Sequence, residues 1–222
     1  ECRLLNFIAG QNDVIERFRS GQDPYTKVAS ALYGYEVDKK NHPKERQVGK
    51  VLELQAGYGS GAAKIAATLR TKAGILLDDA ESLKARDAYR DTHPAVVDLW
   101  RAGGRMLSRL AGGPPMDWGP TVVRDGRIYL PNGCPLNYGS LEYYKDQETD
   151  EEYWRLRTRR GWTKMYGAKL VENLIQALAR VVISQAMVRI VGLGYRIVGT
   201  EHDSLWILIP KDGKENWHID RC

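Results

Sequence analysis

The segment from residue 46 to residue 61, RQVGKVLELQAGYGSG, constrains this chain more than any other. An α-helix advances about 100° per residue, so positions four residues apart lie along one slowly turning stripe. Here that stripe carries Arg46, Lys50, Leu54 and Tyr58, spread over roughly 18 Å of a predicted helix. Arginine and lysine suit phosphate oxygens, and an aromatic ring suits a flat base. The spacing favours a nucleotide-binding helix, with a solvated basic helix end before a glycine-rich stop as the alternative.

The composition is that of an ordinary globular protein, with 43% hydrophobic residues and a net charge of +5 over 222 residues. This content is sufficient for a sizeable core. The cysteines and histidines are too scattered for a zinc site or a disulfide framework. They are Cys2, Cys134, Cys222, His42, His93, His202 and His218. No stretch approaches eighteen consecutive apolar residues, so we predict a cytoplasmic chain that does not contact a membrane.

Hydrophobic periodicity and turn residues predict a mainly helical first half and a mixed second half. The first helical pattern covers residues 1–20 and resembles the interior of an amphipathic helix. Further helices are predicted over 25–33, from 46 to an end near residues 57–61, and over 61–72, 79–90, 94–110 and 163–191, with Asp79 as a helix cap. Short strands are predicted at 127–131 and 136–138 around an Asn132-Gly133 turn, and at 196–200 and 205–209.

The 46–61 segment resembles the fingers helix of the family A DNA polymerases, whose pattern is Arg, three residues, Lys, seven residues, Tyr-Gly. Three other segments resemble the same family and occur in the same order. Residues 22–34 resemble the segment before that helix in bacteriophage-type members. Residues 166–180 resemble the helix that contacts template and primer, and residues 201–204, Glu-His-Asp-Ser, resemble the last catalytic motif.

The resemblance implies an α+β fold with helical fingers and a palm built from a small antiparallel sheet and helices. We expect palm-packing helices over 1–34, fingers over 35–125 and the palm with its catalytic hairpin over 126–222. Glu1 aligns with the last residue of the family motif Asp-x-Ser-Gln-x-Glu. We therefore expect a phage-encoded enzyme of which this chain is a C-terminal fragment or one part of a split protein, without the thumb and the exonuclease domain.

The implied activity is template-directed DNA synthesis from deoxynucleoside triphosphates with two Mg²⁺ ions. Asp203 is the expected catalytic metal ligand, since it lies at a turn between two apolar strands, although an ordinary turn aspartate is the alternative. His202 matches a residue next to the primer terminus. Ser204 replaces the glutamate that usually follows the motif aspartate. The second metal-binding aspartate of the family would lie before Glu1, outside this chain.

The resemblance also assigns the incoming nucleotide. Arg46 and Lys50 would hold the triphosphate, with Lys50 taking part in catalysis, and Tyr58 would stack near the templating base. Leu54 replaces the aromatic residue that usually lies against the sugar. Glu1 would pack beneath the sugar and exclude a ribose 2′-hydroxyl, which favours deoxynucleotides.

DNA contacts are expected from Gly59, which allows close backbone approach, and from the helix that carries Lys169, Asn173 and Gln176. The two amides would reach minor-groove acceptors that every base pair presents; a solvent-facing polar edge is the alternative. Val181 stands where phage relatives often have Asp, and this change has no physical explanation. The acidic stretch 146–152 is predicted to be a surface loop. The basic cluster after it leads into this helix and favours phosphate contact over a merely solvated face; it comprises Arg155, Arg157, Arg159, Arg160, Lys164 and Lys169.

Three other functions remain open at this point. A single-subunit RNA polymerase shares the Arg-Lys-Tyr-Gly and His-Asp-Ser patterns but lacks the block that Glu1 provides. A non-catalytic fragment could bind primer–template and depend on a complementary polymerase chain that carries the upstream palm, thumb and exonuclease. A plain basic helical protein would bind no primer–template at low salt.

Overall fold

A computed structural model describes residues 1–209, which form two compact units. The first unit comprises Glu1–Ala177, and the second begins at Leu178. The division into parts 1–34, 35–125 and 126–222 rests on the family resemblance and stays a prediction.

The first unit opens with seven α-helices. They are α1 (Cys2–Ala9), α2 (Asn12–Arg19), α3 (Tyr25–Tyr33), α4 (Pro43–Gln55), α5 (Ala62–Ala73), α6 (Asp79–Thr92) and α7 (Pro94–Leu110). The predicted helices at 25–33 and 94–110 are confirmed at both ends. The pattern over 1–20 is two helices rather than one, because Gly10 adopts a left-handed conformation with φ 76° and ends α1.

The start of α6 corrects one detail of the sequence prediction. The capping residue is Asp78 and not Asp79. The Asp78 carboxylate accepts a hydrogen bond from the backbone N–H of Glu81 at 2.8 Å, and the Glu81 carboxylate accepts one from the N–H of Asp78 at 2.9 Å. This reciprocal pair is a capping box, in which the capping residue lies three positions before the glutamate. Asp78 has this spacing from Glu81, and Asp79 does not.

Two antiparallel sheets follow the helices in the first unit. One contains β1 (Met116–Trp118), β2 (Thr121–Arg124), β3 (Arg127–Tyr129) and β4 (Pro135–Asn137) in sequential order. The other contains β5 (Leu141–Lys145), β6 (Glu152–Thr158) and β7 (Gly161–Met165). The β3–β4 pair around Asn132-Gly133 was predicted. The surface loop predicted at 146–152 covers 146–151 and joins β5 to β6, because Glu152 is the first residue of β6.

The long helix α8 (Gly167–Gly192) starts later than predicted. The prediction placed its start at residue 163, but residues 161–165 form strand β7 and pair with β6. Two features of the segment explain the error. Its residues Trp162 to Met165 do not alternate clearly between polar and apolar, and they run directly into the apolar pattern of α8.

The core of the first unit lies between these helices. Leu5 from α1, Leu52 from α4, Tyr89 from α6 and Ile175 from α8 are all fully buried in one cluster. Full burial of such side chains stabilises the fold by about 1.5–3 kcal/mol each. The first part of α8 is therefore a core element of this unit.

Helix α4 lies unusually close to α3 because Gly49 has no side chain. A Cβ atom at position 49 would lie 2.1 Å from the backbone oxygen of Tyr25 and 3.0 Å from the Cβ of Ala29. No other residue fits this contact without moving a helix. The approach fixes the predicted cations of α4 next to the first turn of α3.

The described part of the second unit contains the end of α8 and one β-hairpin, formed by β8 (Arg196–Glu201) and β9 (Ser204–Leu208). The predicted pair of strands is confirmed. The two-residue turn consists of His202 and Asp203, and His202 has φ 52°. Several large apolar side chains are exposed here, including Val188, Leu193, Trp206 and Leu208.

In the described residues, α8 alone is long and apolar enough to cross a membrane, with a mean hydropathy of 1.6 over its best window. This is weak evidence, since the core helix of a soluble protein has the same length and composition. The first part of α8 contributes Leu170, Val171 and Leu174 to the interior of the protein.

Candidate nucleotide-binding site

A cavity of about 480 Å³ in the first unit brings together residues from distant parts of the sequence. Five predicted site residues line it: Glu1, Leu54, Tyr58, Lys169 and Gln176. The other lining residues are Gln55, Ser60, Lys64, Thr163, Lys164, Tyr166 and Glu172. The wall therefore combines the chain start, the end of α4, strand β7 and the first turns of α8.

Tyr58 and Glu1 meet at one wall of this cavity. The Tyr58 hydroxyl donates a hydrogen bond to Oε2 of Glu1 at 3.4 Å. Burial raises the pKa of Tyr58 above its usual value, and the Glu1 carboxylate raises it further. Tyr58 therefore stays a neutral hydrogen-bond donor across the physiological pH range, so the ring and the carboxylate hold each other in place.

Tyr58 does not continue the helical stripe as predicted. Helix α4 ends at Gln55, and Tyr58 lies in a 3₁₀ turn over Ala56–Tyr58. The indole N–H of Trp100 donates to the backbone oxygen of Gly57 at 3.0 Å, which anchors this turn to α7. The ring is therefore held by a tight turn and not by a continued α-helix.

Gly59 ends that turn in a conformation that favours glycine. Its φ is 73°, and a Cβ atom at this position would lie 2.5 Å from the Cβ of Ala168. Gly59 is thus required for two reasons, the left-handed backbone and the close approach to α8. The predicted close backbone approach is present, but in this structure it is made to the protein itself.

The charges around the cavity are mixed with an excess of cations. Lys64, Lys164 and Lys169 line the cavity together with the carboxylates of Glu1 and Glu172. Lys169 Nζ lies 2.8 Å from Oε2 of Glu172, one turn further along α8, and both side chains are partly exposed. The cavity therefore offers positive charge to an anionic ligand. The carboxylates of Glu1 and Glu172 offset part of this charge.

Arg46 and Lys50 lie outside the cavity lining, on the turns of α4 that precede Leu54. The Arg46 guanidinium forms an ion pair with Asp23, and both side chains are about one-fifth exposed. It also lies 5.3 Å from the centre of the Tyr25 ring, and Lys50 Nζ lies 6.0 Å from that centre. A phosphate that binds Arg46 would therefore have to displace the Asp23 carboxylate from the guanidinium. The sequence pattern did not predict this ion pair.

On α8 the two predicted amides differ. The side chain of Asn173 donates to the hydroxyl of Tyr138 at 3.1 Å, so it is tied to the segment after β4. Gln176 is exposed and lines the cavity. Gln176 is therefore free to contact a ligand, and Asn173 holds the helix in place.

The predicted metal ligand Asp203 and its neighbour His202 lie in the second unit, on the exposed turn of the β8–β9 hairpin. Within residues 1–209 no group of three or more His, Cys, Asp or Glu side chains could hold a metal ion. Mg²⁺ is often held by one or two carboxylates together with substrate phosphates. Asp203 therefore fits as one contributing ligand, and the described residues do not form a complete Mg²⁺ site.

A buried polar cluster lies directly behind α4. His93 Nε2 is 2.9 Å from Oε1 of Glu53, and both side chains are fully buried. The Cys2 thiol donates to the other Glu53 oxygen at 3.6 Å, and the ring of Tyr89 stacks on His93 with centroids 4.2 Å apart. Burial and the Glu53 charge raise the pKa of Cys2 to about 12, so this thiol stays protonated and unreactive.

Several residues of the cavity lining were not predicted from the sequence. Lys64 and Tyr166 line the cavity although neither was predicted as a site residue, and Tyr166 also borders a second, open cavity of about 780 Å³. The second cavity includes Gly59 and Arg90. Tyr166 opens the family-like segment 166–180, which was the signal that could have identified it.

Comparison with known proteins confirms the predicted resemblance to DNA polymerases. No protein-family model matches the chain. The DNA polymerase of Bacillus phage SP02 is 26% identical over 97% of this chain, which corresponds to 35% of the phage protein. DNA polymerase I of Mycobacterium bovis and of Mycobacterium tuberculosis is 25% identical over 65% of this chain, which spans 16% of those proteins. The chain thus spans about a third or less of the polymerases that it resembles.

Proposed function

We propose that the chain carries the nucleotide-binding and primer–template-binding surface of a template-directed DNA polymerase of family A. The reaction is transfer of a nucleotide from a deoxynucleoside triphosphate to a primer 3′-hydroxyl. One observation carries the proposal. Glu1, Tyr58 and Lys169, from three separate segments that resemble this family, line a single cavity.

In this proposal the cavity and α4 bind different parts of the incoming nucleotide. The templating base pair would lie against Tyr58, and the sugar would lie near Leu54 and Glu1. The triphosphate would extend along α4 toward Lys50 and Arg46, since Lys50 lies one turn before Leu54, about 6 Å along the helix axis. Lys169 and Gln176 would contact the primer–template on the α8 side.

Mg²⁺ would supply activation of the primer hydroxyl and neutralise charge on the transferred phosphate. Asp203 is the residue of this chain that we assign to hold it. His202, next to it, would contact the primer terminus. Ser204 is a weak ligand for Mg²⁺, so it adds little at the position where the family usually has glutamate.

Glu1 favours DNA synthesis over RNA synthesis in this proposal. The Glu1 carboxylate is held by the hydrogen bond from Tyr58. A ribose 2′-hydroxyl next to it would clash with this carboxylate or strip it of water, and both effects disfavour ribonucleotides. Replacing Glu1 with glycine should raise the use of ribonucleotides relative to deoxynucleotides. Equal use of both by the unmodified chain would favour the RNA polymerase alternative.

A second candidate is a binding module without catalysis, which would depend on a complementary polymerase chain. It is favoured by one observation: Asp203 is the single predicted metal carboxylate, and residues 1–209 contain no group of three or more His, Cys, Asp or Glu that could hold a metal ion. This alternative keeps primer–template binding and predicts no primer extension by the chain alone.

The proposal is tested by binding of a labelled primer–template, with and without each deoxynucleoside triphosphate. We expect the correct nucleotide alone to tighten the complex. Tyr58→Ala should weaken this effect by about 5- to 150-fold, the range for loss of one base–aromatic stack. Lys169→Ala should weaken the primer–template itself and lower the salt slope by about 0.9.

Lys72→Ala is the matched control, since Lys72 is an exposed lysine on α5 that does not line the cavity. Primer extension with Mg²⁺ then separates enzyme from binding module. Extension that Asp203→Asn abolishes supports the enzyme. Selective binding without extension supports the module, and binding without selection of the correct nucleotide contradicts both.

A further inference from the structure

The sheet formed by β5, β6 and β7 has two chemically different faces. Successive residues of a strand point to opposite faces, so the strand register defines both. One face carries Leu141, Tyr143, Trp154, Leu156 and Met165. The other, here called the aromatic-basic face, carries Tyr144, Tyr153, Arg155, Arg157, Trp162 and Lys164, together with one carboxylate, Glu142.

Rings and cations alternate across the aromatic-basic face. The Arg155 guanidinium lies 3.4 Å from the centre of the Tyr144 ring and 4.3 Å from that of Trp162. Lys164 Nζ lies 4.6 Å from the centre of the Tyr153 ring. Trp162 is 46% exposed, so a large flat surface faces solvent beside positive charge.

Charge is separated along this sheet. The loop between β5 and β6 is acidic, and the turn between β6 and β7 adds Arg159 and Arg160. Two cations of the face are already paired, Arg155 with Glu142 and Lys164 with Glu151. In the described residues no carboxylate pairs with Arg157, Arg159 or Arg160, so positive charge is available at the β6–β7 end.

The aromatic-basic face continues into the candidate nucleotide site. Lys164 of this face is part of the cavity lining that also contains Tyr58 and Glu1. Its neighbour Thr163 also lines the cavity, but its side chain belongs to the opposite face. Strand β7 therefore runs from the cavity to the basic turn. Lys164 and Trp162 lie on the same face, about 7 Å apart along the strand.

We infer that the aromatic-basic face binds single-stranded DNA, and that its ligand is the unpaired template strand next to the cavity. This inference rests on the proposed function. Single strands bind to surfaces where aromatic rings stack with bases and cations contact phosphates. The bases of a duplex are stacked on each other and do not reach such rings, so the exposed Trp162 favours the unpaired strand. The acidic loop directs the strand toward Arg157 and the β6–β7 turn.

The test uses the full chain and a labelled oligothymidine of about 12 nucleotides, close to the length that one such surface covers. Trp162→Ala should weaken binding by about 5- to 150-fold. Tyr143→Ala is the matched control, because Tyr143 is also exposed but lies on the opposite face. Equal weakening by the two variants would overturn the inference.

A second variant does not depend on the folding of the sheet interior. Arg159→Gln with Arg160→Gln changes only the exposed turn and should lower the slope of log affinity against log salt by about 1.4, or 0.7 for each lost phosphate contact. An unchanged slope would contradict the inference. Equal competition by polyglutamate would also contradict it and favour an acidic protein partner.

The outcome is distinguishable from that of the proposed function. Binding of a blunt-ended primer–template should be unchanged in all these variants. Binding of one with a template overhang should weaken in the Trp162 variant and in the Arg159 and Arg160 double variant, and not in Tyr143→Ala. If nucleotide selection at the cavity persists and the overhang has no effect, the inference fails and the proposed function stands.

Discussion

At the scale of single residues, the contact between Glu53 and His93 joins three helices behind the candidate site. Glu53 belongs to α4, His93 lies between α6 and α7, and Cys2 of α1 donates to the same carboxylate. All three are buried. Removing one partner from such a pair leaves the other buried without compensation, which is more costly than replacing both by apolar residues.

Glu53→Leu is therefore expected to lower the free energy of unfolding by about 3–5 kcal/mol. The double change Glu53→Leu with His93→Leu should recover part of that loss, since the buried imidazole is then no longer left without its carboxylate and only the weak donor Cys2 loses its acceptor. Urea denaturation of the wild-type chain, both single variants and the double variant measures the coupling. Strictly additive losses would show that the two side chains do not stabilise each other.

The residues of the site were predictable only in part. Tyr58, Glu1 and Lys169 were identified because they recur at fixed positions of a family pattern. The partners Asp23 of Arg46 and His93 of Glu53 were not, because each contact joins segments far apart in sequence. Such contacts depend on how helices pack, and no local spacing encodes them.

At the scale of elements, the capping box of α6 makes a direct prediction. Asp78→Ala removes the side chain that accepts from the Glu81 N–H, and we expect a loss of about 0.5–2 kcal/mol in the free energy of unfolding. Asp79→Ala is the control, because Asp79 is acidic and adjacent but does not cap. Thermal unfolding of both variants decides the matter, and an equal or greater loss for Asp79→Ala would contradict the cap assignment.

The elements that the sequence predicted well have strong local signals. Helix α3 ends at a glycine in left-handed conformation, and α7 begins at a proline in its first turn. Strands β5–β7 were missed because their alternation places aromatic and charged residues on an exposed face, so hydrophobicity gives no period of two. What specifies that sheet is the pairing of rings with cations across strands, which becomes visible only once the register is known.

At the scale of the whole molecule, the two compact units differ in how much they bury. The first contains a contiguous core of helices, and the described part of the second contains a helix end and one hairpin with exposed Val198, Trp206 and Leu208. A two-stranded hairpin is marginally stable by itself in water. The chain therefore places its predicted metal ligand on its less stabilised unit.

Amide hydrogen exchange should report this difference. We expect the amides of β8 and β9 to open with a free energy at least about 3 kcal/mol below that of the α4 amides, because local openings range from near zero up to global unfolding. Exchange followed by mass spectrometry at neutral pH provides the comparison within one sample. Equal protection of the hairpin and α4 would show that the chain is stabilised as one cooperative unit.

The contact between Gly59 and Ala168 has a consequence for the variation of this protein among its relatives. Glycine is already the smallest residue, so position 59 holds no volume that could be given up to accommodate a larger residue at 168. A mutation that enlarges Ala168 has no compensating change available at its neighbour. Natural variants should therefore keep glycine at 59 together with alanine or glycine at 168, so that few neutral substitutions accumulate at these two positions.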